Sequence, residues 1–266
     1  MDSQAEYWTA AALLEWQVEM GADEAILDAP LDRYELEPAK PSVPEPATTA
    51  EVPSKPPIPT PPPAVDTVAV AARLAAEAGS LEALKEAIAG FEHCELRKGA
   101  RNLVLSDGLP SARVMVISDA PTREDDMQGR PFTGATGDLL DRMFGAIGLK
   151  RTTEISAEGF YLVNMVPWRP PSDRMPTGDE VAMTLPFVQR HIDLVAPDVL
   201  VLLGGIPCQA FLGDGGTARL RGRWTEVAGR PALPIYHPGR MKRDPVRKRD
   251  TWADLLSLKA KLREMG

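Results

Sequence analysis

Cysteine is nearly absent from this chain: only Cys94 and Cys208 occur in 266 residues, far apart along the sequence. That excludes a disulfide framework and points to a reducing, cytoplasmic setting. No run of about 18 apolar residues occurs, so neither a membrane span nor a membrane partner is expected. The start of the chain lacks a basic stretch followed by an apolar core and a small-residue cleavage site, so no secretory signal is expected. No internal repeat is found. Histidine is scarce too, with His93, His191 and His237 the only three. His93 and His191 read as ordinary surface or helix residues, whereas His237 ends an apolar run and precedes a proline.

What is present is unevenly spread. The formal charge of −8 conceals an acidic first quarter: residues 1–66 hold 13 acids and 3 bases, a net of −10, which leaves +2 for the rest. Within Arg219–Arg249 there are 10 bases against 2 acids. A basic stretch on a near-neutral domain suits a phosphate backbone, and equally a solvated charged face.

Residues 1–30 form an N-terminal segment whose stretch 5–27 patterns as an amphipathic helix, with Trp8, Leu13, Trp16, Val18 and Met20 among acids. The segment either docks on its own chain or binds a protein partner. Residues 31–66 form a linker, and 11 of the 26 prolines fall within 38–63, a density that excludes a helix or central strand. The folded domain is expected over 67–266. Its helices are expected at 67–89, 136–147, 178–195, 206–212 and 247–264, with Thr177 and Glu180 forming a capping box.

Between the helices lie four short aliphatic runs: Arg113–Ile117, Phe160–Val163, Asp198–Leu203 and Leu233–Tyr236. Short apolar runs alternating with helical stretches read as buried strands of a parallel sheet. In such sheets the ligand crevice lies beyond the carboxyl ends of the strands. Asp119, Asn164 and His237 each follow a run, so all three are expected at one crevice.

The stretch from Asp119-Ala120-Pro121-Thr122 through Gly129-Arg130-Pro131-Phe132-Thr133-Gly134 resembles the first motif of the uracil-DNA glycosylase superfamily. Further matches are Asn164-Met165-Val166-Pro167-Trp168-Arg169-Pro170-Pro171, Val201-Leu202-Leu203-Gly204-Gly205, Leu220-Arg221-Gly222-Arg223-Trp224 and His237-Pro238-Gly239. They stand in order between about residues 91 and 264, and the family 4 branch is the most similar. The resemblance implies an α/β three-layer fold with a four-stranded parallel sheet flanked by helices, acting on uracil-containing DNA; nothing in the sequence signals oligomerisation, so a monomer is expected.

It also implies roles. Ala120, Pro121 and Phe132 would line the flipped base, with Phe132 stacking on it. Asn164 would pair with uracil's polar edge, His237 would stabilise charge at its O2, and Asp119 would position water or steady the cationic sugar. Met241 would be the apolar wedge. By residue type, Arg219, Arg221, Arg223, Arg240, Lys242 and Arg243 would hold phosphates.

Family 4 proteins commonly hold a four-iron cluster on four cysteines, and a cubane cluster needs about four thiolates. Here those positions read Phe91, Cys94, Trp168 and Thr184, so no cofactor is expected and an apolar core is expected in its place. The first motif departs from the family's Gly-Glu-Ala-Pro-Gly, reading Ser118-Asp119-Ala120-Pro121-Thr122. Aspartate withdraws the carboxylate by about 1 Å, and misplacement on that scale costs ~10²-fold in rate. Thr122 puts a branched side chain where backbone approaches a ligand. The loop Gly239-Arg240-Met241-Lys242-Arg243 is more basic than the family's Tyr-Leu-Leu-type continuation. Three functions stay open: uracil excision without a metal, a catalytically weakened DNA- or partner-binding homologue, and excision of another deaminated base such as hypoxanthine or xanthine.

Overall fold

A computed structural model of the chain describes residues 65–213 and 215–266. The expected N-terminal helix and the linker as far as residue 64 lie outside the described residues.

Two helices begin the described part, α1 (Thr67–Glu77) and α2 (Leu81–Gly90). The sequence pattern predicts one helix over 67–89. The break arises at Gly79-Ser80, where the Ser80 hydroxyl accepts from the Ala83 N–H at 3.1 Å and caps α2. The short helix α3 (Leu96–Gly99) and strand β1 (Ser106–Gly108) follow. Strand β2 (Val114–Ser118) then leads through α4 (Arg123–Gln128) and α5 (Gly134–Ala146) to β3 (Phe160–Asn164). Helix α6 (Gly178–Val195) carries the expected Thr177–Glu180 capping box and leads to β4 (Val199–Leu203). Helices α7 (Gly205–Leu212) and α8 (Thr217–Leu220) precede the hairpin of β5 (Thr225–Val227) and β6 (Arg230–Ile235). The chain ends in α9 (Pro238–Arg243) and α10 (Arg247–Glu264).

The sheet order is β1-β3-β2-β4-β6-β5. The four inner strands are parallel, as expected, and two three-residue strands extend them antiparallel at the edges. Neither edge strand is expected from the sequence. Ser106-Asp107-Gly108 has no apolar alternation, and β5 is held by its turn, where Ala228 and Gly229 both take positive φ as a tight hairpin requires.

Side chains of the inner strands alternate between two layers. Met115, Ile117, Tyr161, Val163, Leu200 and Leu202 pack with Leu84, Ile88, Phe187 and Ile192 from α2 and α6. Val116, Leu162, Val201, Leu233 and Ile235 pack with Leu140, Phe144, Leu255 and Leu258 from α5 and α10. Covering both faces is what makes the strands continuously apolar. It also leaves the carboxyl ends of β2, β3, β4 and β6 as the edge where polar side chains gather.

Candidate active site

A cleft of about 600 Å³ opens at that edge. Asp119 and Thr122 from the loop after β2, Gly204 and Gly205 after β4, and Tyr236 and His237 after β6 form its floor, and Arg240, Arg243 and Arg247 its basic wall.

Asp119 sits at the start of α7. Its Oδ1 accepts from the Ile206 N–H at 3.0 Å, and the Gly205 N–H also favours the anion. Burial opposes both and prevails, pushing the carboxyl up from 3.8 to about 6. Gly204 makes room for it. At φ +116° a side-chain carbon there would lie 2.5 Å from the carboxylate, so only glycine fits.

His237 caps α9, with its Nδ1 accepting from the Gly239 N–H at 3.1 Å. An accepting Nδ1 puts the proton of the neutral ring on Nε2. Burial lowers the imidazole to about 4, so the ring is neutral at physiological pH. Phe132 lies against it, ring centroids 5.2 Å apart.

Phe132 takes φ 54°, a strained value for a bulky residue, and several groups hold it there. Arg151 donates to the carbonyls of Pro131 and Phe132 at 3.1 and 3.3 Å while pairing with Asp107 and Asp141. Gly137 leaves space for the Phe132 carbonyl, which any side chain there would strike. On the next residue, Thr133 donates through its N–H and hydroxyl to Asp125 at 2.6 and 2.7 Å. The other oxygen of Asp125 accepts from the N–H and hydroxyl of Thr122 at 2.9 and 2.8 Å, so one buried carboxylate ties both ends of the loop together.

The departure at Thr122 therefore reads differently in three dimensions. Its φ is −82°, which requires no glycine, and its hydroxyl is engaged in a capping box at the start of α4 while the residue lines the cleft floor.

Asn164 stands at the end of β3, next to Ser118 in the sheet. It is buried, and its Nδ2 donates to the Val104 carbonyl at 3.0 Å. It does not line the large cleft, but borders a small cavity of about 10 Å³ with Thr184 and His191. The expected convergence thus holds for Asp119 and His237 on one cleft, with Phe132 against His237, while Asn164 is set apart from the cleft wall. Pro121 is buried and Ala120 packs against the core, and neither lines the cleft.

Among the basic residues, Arg219, Arg223, Arg240, Lys242 and Arg243 are exposed, and Arg240 and Arg243 line the cleft. Two expectations are corrected. Arg221 is not free for phosphate: it donates to both oxygens of the buried Asp254, at 2.9 and 2.5 Å, and to the Asp250 carbonyl. Met241 is not presented as a wedge: it is 1% exposed, and the apolar side of α9 seats it against α5 and α10.

Residues beyond the sequence reading also join the site. Arg247 donates to the Tyr236 hydroxyl at 2.5 Å, and the guanidinium groups of Arg221, Arg240 and Arg247 lie 5.7, 5.9 and 4.7 Å from the Tyr236 ring centre. Arg247 belongs to the basic stretch but starts the last helix, so only the fold brings it back to the cleft. Asp125 had one local signal, its place three residues after Thr122.

The positions of the family's cluster ligands are core. Phe91, Cys94, Trp168 and Thr184 are all buried, and Phe91 meets Phe187 edge to face at 5.4 Å. The Thr184 hydroxyl donates to its own helix, at the Glu180 carbonyl 3.0 Å away. Burial raises the Cys94 thiol and keeps it protonated. These residues do not fit an iron–sulfur cluster. Among the described residues no group of three or more His, Cys, Asp or Glu is placed to hold a metal.

Compared with known proteins, residues 105–256 match the family model of the uracil DNA glycosylase superfamily. The chain is similar to the type-4 uracil-DNA glycosylase of Archaeoglobus fulgidus, with 33% identity over 60% of this chain and 81% of that protein. It is 30% identical to the type-4 uracil-DNA glycosylase of Thermotoga maritima over 62% of this chain and 84% of the relative. The type-4 uracil-DNA glycosylase of Sulfurisphaera tokodaii is 37% identical over 47% of this chain, which spans 54% of that relative.

Proposed function

The chain belongs to the uracil DNA glycosylase superfamily, and from that membership we propose that it flips uracil out of DNA and hydrolyses the N-glycosidic bond. The observation that carries the proposal is the pairing, in one cleft, of a neutral imidazole with Nε2–H free to donate and a carboxylate ionised above about pH 6.

As the C1′–N1 bond breaks, electrons move onto uracil and positive charge develops on the sugar. His237 donates from Nε2 to uracil O2, where the anion builds, and a neutral donor suffices for that. The Asp119 carboxylate faces the cationic sugar and orients the water whose oxygen bonds to C1′, taking up the proton that this water loses. Phe132 stacks on the extruded base, held by Arg151 and Asp125. Arg240 and Arg243 hold the backbone phosphates.

The test is release of uracil from a single-uracil oligonucleotide, read as alkali-dependent strand scission, with hypoxanthine and xanthine substrates in parallel. Scission at uracil is expected. No scission at any of these bases with stoichiometric protein, alongside salt-sensitive DNA binding, would overturn the proposal. That outcome would favour a weakened, DNA-binding homologue, a second reading that draws on one observation: Asp119, one methylene shorter than the family's glutamate, is held by the first turn of α7.

A further inference from the structure

We propose, resting on the reading that a base is flipped into this cleft, that Met175 is the apolar wedge that enters the base stack of duplex DNA. An enzyme that extrudes a base must fill the gap, and unbranched apolar side chains such as methionine serve well. Met241 is unavailable because it is buried. Met175 is 65% exposed, and among the described residues it is the one large exposed apolar side chain that lines the cleft with Asp119 and His237.

The loop that presents it is braced. Ser172 and Asp173 both take φ 54°, and Arg169 pairs with Asp173 at 2.7 Å. Arg174 grips Glu180 at 2.9 and 2.6 Å and donates to the Met175 carbonyl at 2.9 Å. Glu180 in turn accepts from the Thr177 N–H at 2.7 Å, anchoring the loop on the start of α6. Strained backbone persists where the surroundings over-determine it, and such strain clusters at functional sites. Here two strained residues and two ion pairs hold an apolar side chain out over a polar cleft.

The experiment uses a uracil-containing duplex with 2-aminopurine beside the uracil, whose fluorescence rises when the stack opens, together with excision from duplex and from single-stranded DNA. A single strand has little stack to fill, so a wedge matters chiefly on duplex. Met175→Ala is expected to lose most of the fluorescence rise. Its duplex-to-single-strand ratio of kcat/KM is expected to fall about tenfold, a fraction of the cost of flipping. Met175→Leu should keep both near the native values. A Met175→Ala protein with native fluorescence and a native ratio, or one with equal losses on both substrates, would overturn the proposal. If neither substrate releases uracil, the proposed chemistry fails on its own, and the fluorescence still decides for or against the wedge.

Discussion

Replacing Asp119 by asparagine is expected to stabilise the protein at high pH while removing its activity. In the folded chain burial lifts this carboxyl from 3.8 to about 6, against the pull of two backbone N–H groups. A folded-state pKa above the unfolded one means that protonation favours folding. The stabilising contribution is full below about pH 4 and is lost as pH rises through 6. A shift of about two pKa units corresponds to up to about 3 kcal/mol once both states are ionised. The asparagine side chain keeps an oxygen for the Ile206 N–H and has no charge to bury. Urea unfolding at pH 8 should therefore show Asp119→Asn more stable than the native protein by up to about 3 kcal/mol, with the gap closing below about pH 4. Activity should respond the other way. With the acid half-ionised near pH 6, native kcat/KM at pH 5 should be about a tenth of its plateau, and His237, neutral above about 4, adds no limb in that range. The variant should lose both the plateau and the limb. A native profile flat from pH 5 to 8, a limb near 6 that survives in Asp119→Asn, or a variant less stable at pH 8 would refute the reasoning.

Two further perturbations separate residues that look alike in sequence. Arg221→Ala should destabilise the fold by about 3 kcal/mol, because it strands the buried Asp254, and should leave the salt dependence of DNA binding unchanged. Arg243→Ala should leave the thermal midpoint unchanged and lower the slope of log affinity against log salt by about one, the signature of one lost phosphate contact. Arg151→Met should cut kcat about tenfold or more through a misplaced Phe132, yet cost little further activity in a Phe132→Ala background. Equal losses in the two backgrounds would show that Arg151 acts elsewhere.

The central strands and their terminal polar residues are legible because burial on both faces demands continuous β-branched and aliphatic runs, such as Val114–Ile117 and Val199–Leu203. The capping box at Thr177 is legible because its bonds are local. What the sequence hides depends on long-range pairing. Ser106-Asp107-Gly108 becomes a strand only through β3, and Arg221 becomes structural only when α10 brings Asp254 to it. Residue type alone sorts Arg221 with Arg243, and Met241 with Met175. Burial separates each pair, and burial is a property of the fold. Asn164 illustrates the limit most clearly: its place at a strand end is readable, but the Val104 carbonyl that takes its amide hydrogen lies 60 residues away.

The missing methylene at position 119 looks in sequence like damage to a glycosylase motif, but the packing around it favours accommodation. The carboxylate lies so close over Gly204 that no side-chain carbon fits beneath it, and it reaches the first turn of α7 with the short arm that aspartate provides. A glutamate would need about 1 Å more room. It would have to give up the Ile206 N–H or swing out toward Arg240 and Arg243 in the wetter part of the cleft. Asp119→Glu, although it restores the family's residue, is therefore expected to lower kcat about tenfold and to move the acid limb of the pH profile down toward the ordinary carboxylate range. A gain in kcat from Asp119→Glu would mean that the shorter acid is a defect, and that the site has not been rebuilt around it.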